Sequence, residues 1–129
     1  MPGDDPPSIV SRLVPILHVA SVVTSVAFYE ALGFTAARVI NSDQLGDDPH
    51  WARMTRGRAE LMLAQATAPV VPEQQAVLLY LYVESVGAYR DSLAGAGVRV
   101  GRLDRPDHSP SGEFRVVDPD GYGILVGGG

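Results

Sequence analysis

The sequence predicts an α+β protein built from two tandem βαβββ modules. Three observations carry this: an internal repeat at one fixed step, a helix stripe bounded by caps in each half, and turn residues that cut the remainder into short strands. Val19-Ala20-Ser21-Val22 returns as Val83-Glu84-Ser85-Val86, a step of 64 residues. The same step carries Gly33-Phe34 to Gly97-Val98 and Arg56-Gly57 to Asp120-Gly121. A shared step of half the chain length marks a duplicated unit, and it fixes architecture before any detail. At 129 residues the two units make one domain rather than two.

The elements follow in order. Residues 1–11, rich in Pro and Asp, read as a disordered lead, because those residues neither pack nor continue a helix. The first module spans 12–66. Leu13 to Val19 is an apolar, β-branched run suited to a buried strand. Ser21 stands at a helix N-cap position, Val22, Val26, Tyr29 and Leu32 form one apolar stripe, and Gly33 closes the helix. Strands are expected at about 34–41, 50–56 and 59–65, the last two joined at Arg56-Gly57, with a polar loop from Asn41 to Pro49 carrying Asp43, Asp47 and Asp48. A Pro-containing linker at 67–75 leads to the second module, 76–129. There a strand at 77–83 precedes Ser85 and a helix carrying Val86, Tyr89, Leu93 and Ala96, closed by Gly97. Strands at about 98–103, 113–118 and 122–127 complete it, with Asp118-Pro119-Asp120-Gly121 as a strong hairpin signal.

Eight strands with two helices leave one face of each sheet without a helix. Apolar residues there must line a ligand cavity or meet another chain.

Composition excludes several classes. The apolar fraction, 46%, is that of a globular chain, and no run of 18 apolar residues exists to span a membrane. The first residues lack a signal-peptide pattern, and with no cysteine the default compartment is a reducing cytoplasm. A net charge of −5 argues against nucleic acid. All ten basic residues are Arg, which with the Ala, Gly and Pro richness reflects GC-rich coding more than mechanism.

Two stretches resemble a known superfamily: Ala27-Phe28-Tyr29-Glu30-Ala31-Leu32-Gly33-Phe34 at the first helix end, and Asp118-Pro119-Asp120-Gly121 near the C-terminus. Across residues 13–126 the pattern is similar to the vicinal-oxygen-chelate (glyoxalase/bleomycin-resistance/dioxygenase) superfamily. Val14-Pro15, Trp51, Arg56-Gly57 and Leu61-Met62-Leu63 bring it nearest the bleomycin-resistance branch. The resemblance implies curved mixed sheets around a cavity, and a homodimer in which each cavity draws on both chains. Catalytic members of the superfamily hold a divalent ion on four inner strand positions. Counting from the helix starts and from the Asp118 turn places these at Val14, Leu78, Leu125 and Leu61, with Glu60 in place of Leu61 after a one-residue shift. Aliphatic side chains offer a metal no lone pair, so the expectation is no metal and no cofactor.

Strand alternation from those positions assigns Ile16, His18, Tyr80 and Tyr82 to the cavity, with Trp51, Arg53, Glu113 and Arg115 on the paired hairpin strands. His108, in a loop, is a candidate to close over a ligand. This set suits a flat aromatic ligand held by stacking. Blander uses stand beside it: core packing for Trp51, a dimer seam for Tyr80 and Tyr82, a rim position for His18, and an ion pair of Arg115 with Glu113 or with an acid of a partner chain. Under the preferred register Glu60 faces away from the cavity and needs a partner or an exposed edge. The functional expectation is a binding protein that sequesters a small aromatic or glycopeptide antibiotic. The alternative is a metal-independent isomerase, lyase or cyclase using His18, Glu113 or Tyr80 for proton transfer, and a third reading is a partner-binding module.

Overall fold

The computed structural model describes residues 8–41 and 48–128, so residues 1–7 of the lead, Asp43 and Asp47 of the polar loop, and Gly129 lie outside the described residues. The described residues form seven strands and two α-helices. In module 1, β1 (Ile16–Val19) runs parallel to β4 (Ala59–Gln65), which pairs antiparallel with β3 (Pro49–Arg56), itself paired with edge strand β2 (Thr35–Asn41). In module 2, β5 (Leu78–Tyr82) runs parallel to β7 (Gly123–Gly127), which pairs antiparallel with β6 (Glu113–Val117).

Helix α1 (Val22–Ala31) begins as expected, with Thr24 N donating to Ser21 Oγ at 3.2 Å, and Gly33 takes φ +101° beyond its end. Its buried stripe is Val22, Ser25 and Tyr29, continued by Leu32, with Val26 only partly covered. Helix α2 (Val86–Gly95) buries Val86 and Leu93, while Ala96 is exposed rather than packed.

Period-two alternation sorts each strand. Leu17, Val19, Ala52, Met54, Leu61 and Leu63 face the core in module 1, and Phe114, Val116, Ile124 and Val126 do so in module 2. The expectation of a fully buried first strand is corrected: Leu13 is exposed, and Ile16 and His18 point to the open face. The strand expected at 98–103 is also corrected. Gly101 N donates to Arg115 O at 2.8 Å, and Asp104 exchanges bonds with Glu113 at 2.8 and 2.7 Å. The two pairings differ by one residue in register, and that inserted residue breaks the ladder.

A buried polar clamp ties the modules together. Asp118 accepts from Tyr29 Oη at 2.8 Å and from the Asp120 and Tyr122 amides at 2.9 Å each. Asp120 accepts from Ala20 N at 2.7 Å and Ser25 Oγ at 3.3 Å, at the start of α1. Tyr122 Oη donates to His18 O, and Tyr89 Oη to Leu32 O. The turn itself needs Gly121 twice over: its φ is +89°, and a Cβ there would lie 2.6 Å from Pro72 Cα of the linker turn.

Candidate functional site

All of the strand-borne candidates lie on the faces turned away from the helices. On the four-stranded sheet of module 1, sheet A, His18 and Trp51 both pair with Ala64, from β1 and β3 on either side of β4, so the three form one cross-strand row. Two strand spacings separate the His18 and Trp51 backbones, about 10 Å, with only the Ala64 methyl group on the strand between them. His18 also lines a cavity of about 340 Å³ with Tyr122 and linker residues 66–71. Arg53 lies two residues beyond Trp51 on the same face.

The register of β4 overturns the expected one. Leu61 is buried in the core, and Glu60 shares the open face with Arg53. Its Oε2 accepts from Arg12 Nη1 at 2.9 Å, and its Oε1 lies 3.7 Å from Arg53 Nε, beyond hydrogen-bond reach. The counterpart of Leu125 is therefore Met62: Ile16 pairs with Met62, and Tyr80, 64 residues after Ile16, pairs with Leu125. Val14, Met62, Leu78 and Leu125 offer three aliphatic groups and a thioether. That donor set does not fit a hard divalent ion. Among the described residues no group of three or more His, Asp or Glu is placed to hold a metal.

On the three-stranded sheet of module 2, sheet B, the structure brings Tyr80, Glu113 and His108 together. Tyr80 Oη donates to Glu113 Oε2 at 2.6 Å, and His108 Nε2 lies 2.7 Å from the same oxygen. A carboxylate only accepts, so that imidazole nitrogen carries the proton. These two bonds, Tyr80's first, hold the Glu113 carboxyl below its ordinary range, and the carboxylate in turn pushes the Tyr80 hydroxyl upward. Of the two ion pairs considered for Arg115, the one with Glu113 does not form within the chain, since Glu113 is taken by Tyr80 and His108 while the Arg115 guanidinium lies over Gly123. Tyr82 stands beside Tyr80 with ring centroids 4.8 Å apart and is 72% exposed.

Sequence reasoning missed the residues that make room for this arrangement. Gly127 lies beneath Tyr80: a Cβ there would meet the phenol oxygen and sit 2.8 Å from Ser109 Oγ. Gly123 leaves the same space under Arg115 and Leu78. Glycines alternating with Leu125 on one strand face were the available signal. Missed too were Ala64 and Arg38, the latter sharing a face with its cross-strand partner Arg53. The eight candidate residues thus fall into two groups. His18, Trp51 and Arg53 belong to sheet A, while Tyr80, Tyr82, His108, Glu113 and Arg115 belong to sheet B.

The profile of the Glyoxalase/Bleomycin resistance protein/Dioxygenase superfamily matches residues 12–126. The chain belongs to this superfamily. Sequence comparison with curated proteins finds no match. Among solved structures, the chain is similar to a bleomycin-binding protein from Streptomyces verticillus complexed with copper(II)-bleomycin. Identity is 20%, covering 94% of this chain and 99% of that one, at TM-score 0.69. A bleomycin resistance determinant encoded on the transposon Tn5 gives 18% identity, 92% and 98% coverage, and TM-score 0.74. Lactoylglutathione lyase from Agrobacterium tumefaciens gives 20% identity, 97% and 96% coverage, and TM-score 0.67. At such identities the likeness establishes the fold, and one fold here serves both a binder and an enzyme. No helix among the described residues is long and apolar enough to cross a membrane.

Proposed function

We propose that this superfamily member is a binding protein that sequesters a small, flat aromatic ligand of the antibiotic class, without a resident metal. The observation that carries the reading is the chemistry of the two open sheet faces. Trp51, Tyr80 and Tyr82 stand there on an aliphatic and glycine floor, and the four positions that could hold an ion carry hydrocarbon or thioether. Large aromatics left on an open face bind by stacking and by burial of apolar area. The bleomycin-binding neighbours support a glycopeptide or related antibiotic as the class to try first.

The same faces support a homodimer. Ile16, Leu78, Tyr82 and Val117 are all more than half exposed on them, and covering such apolar surface favours a second copy. Isothermal titration against glycopeptide and intercalating antibiotics at about 100 µM protein, a concentration that detects micromolar complexes, tests the reading. Saturable heat with one class supports it, and no heat with any removes the named class.

The Tyr80–Glu113–His108 network favours a second reading, a metal-independent acid–base enzyme. It ranks second because the two hydrogen bonds make Glu113 a weaker base than a free carboxylate.

A further inference from the structure

Among the described residues, the open face of sheet A holds more positive charge than its one carboxylate can balance. Arg53 lies on β3, an interior strand flanked by β2 and β4. Its Nε is enclosed without a hydrogen-bond partner, while the side chain as a whole is 38% exposed. Among the described residues its nearest acid is Glu60, whose Oε1 forms an ion pair with it at 3.7 Å, short of a hydrogen bond. That oxygen is itself enclosed without a hydrogen-bond partner, while the carboxylate's other oxygen is taken by Arg12. Arg38 pairs with Arg53 across the β2–β3 ladder and shares its face. Among the described residues three guanidiniums therefore meet one carboxylate, in a chain whose net charge is −5. Arg38 has a second use, since charge on an edge strand blocks edge-to-edge pairing. Arg53, on an interior strand, has no such use. Its Nε is held short of a full hydrogen bond, while the exposed part of the guanidinium can receive an acceptor from solution.

Trp51 stands two residues from Arg53 on the same strand and face. We infer that this face selects an aromatic ligand bearing an anionic group (carboxylate, sulfonate or phosphate), the indole stacking its ring while Arg53 and Arg38 hold the anion. The inference rests on the aromatic-binding reading above and narrows its ligand class. Arginine's planar fork suits two-oxygen anions, and the competing carboxylate of Glu60 sets how tightly they are held.

Trp51 is the only tryptophan, so its fluorescence reports on this face directly. The full chain is titrated with three quenchers of one shape: 4-nitrobenzoate, 4-nitrobenzamide and 4-nitrobenzylammonium. Saturable quenching at least tenfold tighter for the carboxylate is expected. Arg53→Met raises its Kd to that of the amide, and Arg38→Met, at an exposed edge, raises it about threefold or more. Glu60→Gln, nearly isosteric, tightens the carboxylate alone, a gain that misfolding cannot imitate. Equal affinity for the three probes, tighter binding of the ammonium, or no gain in Glu60→Gln overturns the anion selectivity while leaving aromatic binding in place. No saturable quenching by any probe overturns both.

Discussion

Tyr29→Phe removes a single oxygen from the clamp between the modules, and its cost follows from what is left behind. Tyr29 is 1% exposed, and its hydroxyl is the only donor to Asp118 Oδ2 among the described residues, at 2.8 Å. The other carboxylate oxygen keeps its two backbone amides. A net contribution of about 1.5–3 kcal/mol is usual for a hydrogen bond to a charged group. For a chain of this size about 2 kcal/mol lowers Tm by roughly 6–10 °C. Asp118→Asn is the control. Its amide oxygen still accepts from the backbone and its NH₂ donates to Tyr29 Oη; the phenol proton loses its acceptor but the buried charge is gone, so it costs about 1–2 kcal/mol, less than the Ala variant. Asp118→Ala strands the phenol and both amides and costs about 3 kcal/mol or more. The pH dependence carries its own sign. Burial raises the Asp118 pKa in the folded protein, so its stabilising share is full below the unfolded value and is lost as pH rises through the folded one. Losing the Tyr29 donor raises that pKa further. The Tyr29→Phe penalty is therefore largest at neutral pH and shrinks as acid protonates Asp118. Urea unfolding at pH 7 and pH 4 measures both. A loss under about 0.5 kcal/mol, a loss that grows in acid, or an Asn variant as damaged as the Ala variant refutes the reasoning.

Gly121→Ala and Gly127→Ala separate two kinds of crowding. The first meets linker backbone at a positive φ and costs about 2 kcal/mol or more in urea unfolding, whereas the second meets side chains alone, the end of Tyr80 and the buried Ser109 hydroxyl, and so costs less than the first while weakening aromatic binding. Tyr80→Phe removes the largest cause of the lowered Glu113 pKa, so carboxyl NMR titration finds that value moved up toward the ordinary range. Light scattering after size exclusion is expected to give twice the 13.7 kDa chain mass, reverting to one chain mass in Leu78→Glu.

Local chemistry made much of the fold legible. Ser21 and Gly33 bound the first helix in the sequence as they do in the structure, and alternation through Ile16-Leu17-His18-Val19 separates core from open face. The register of β4 was not legible, because the two hairpins differ in length. The last paired residues are Arg56 and Ala59 in one and Val117 and Gly123 in the other. The step of 64 becomes 63 by the last strand, which hides Met62 behind Leu61 and puts Glu60 on the wrong face. The strand at 98–103 failed for a similar reason, a one-residue slip that no periodicity reports. In Asp118-Pro119-Asp120-Gly121 the turn was visible, but the clamp was not, since its partners Ala20, Ser25 and Tyr29 lie about 90–100 residues away. His108 meets Glu113 through a short loop, and Tyr80 reaches the same carboxylate only because Gly127 lacks a side chain.

The most direct test is a co-crystal of the chain with whichever antibiotic of the titration panel gives saturable heat. The account predicts its aromatic ring against Trp51 or the Tyr80–Tyr82 pair, at about 3.5–4 Å. A ring seated instead in the 520 Å³ depression lined by Phe34, Leu81 and Tyr89, with the open sheet faces bare, would contradict it.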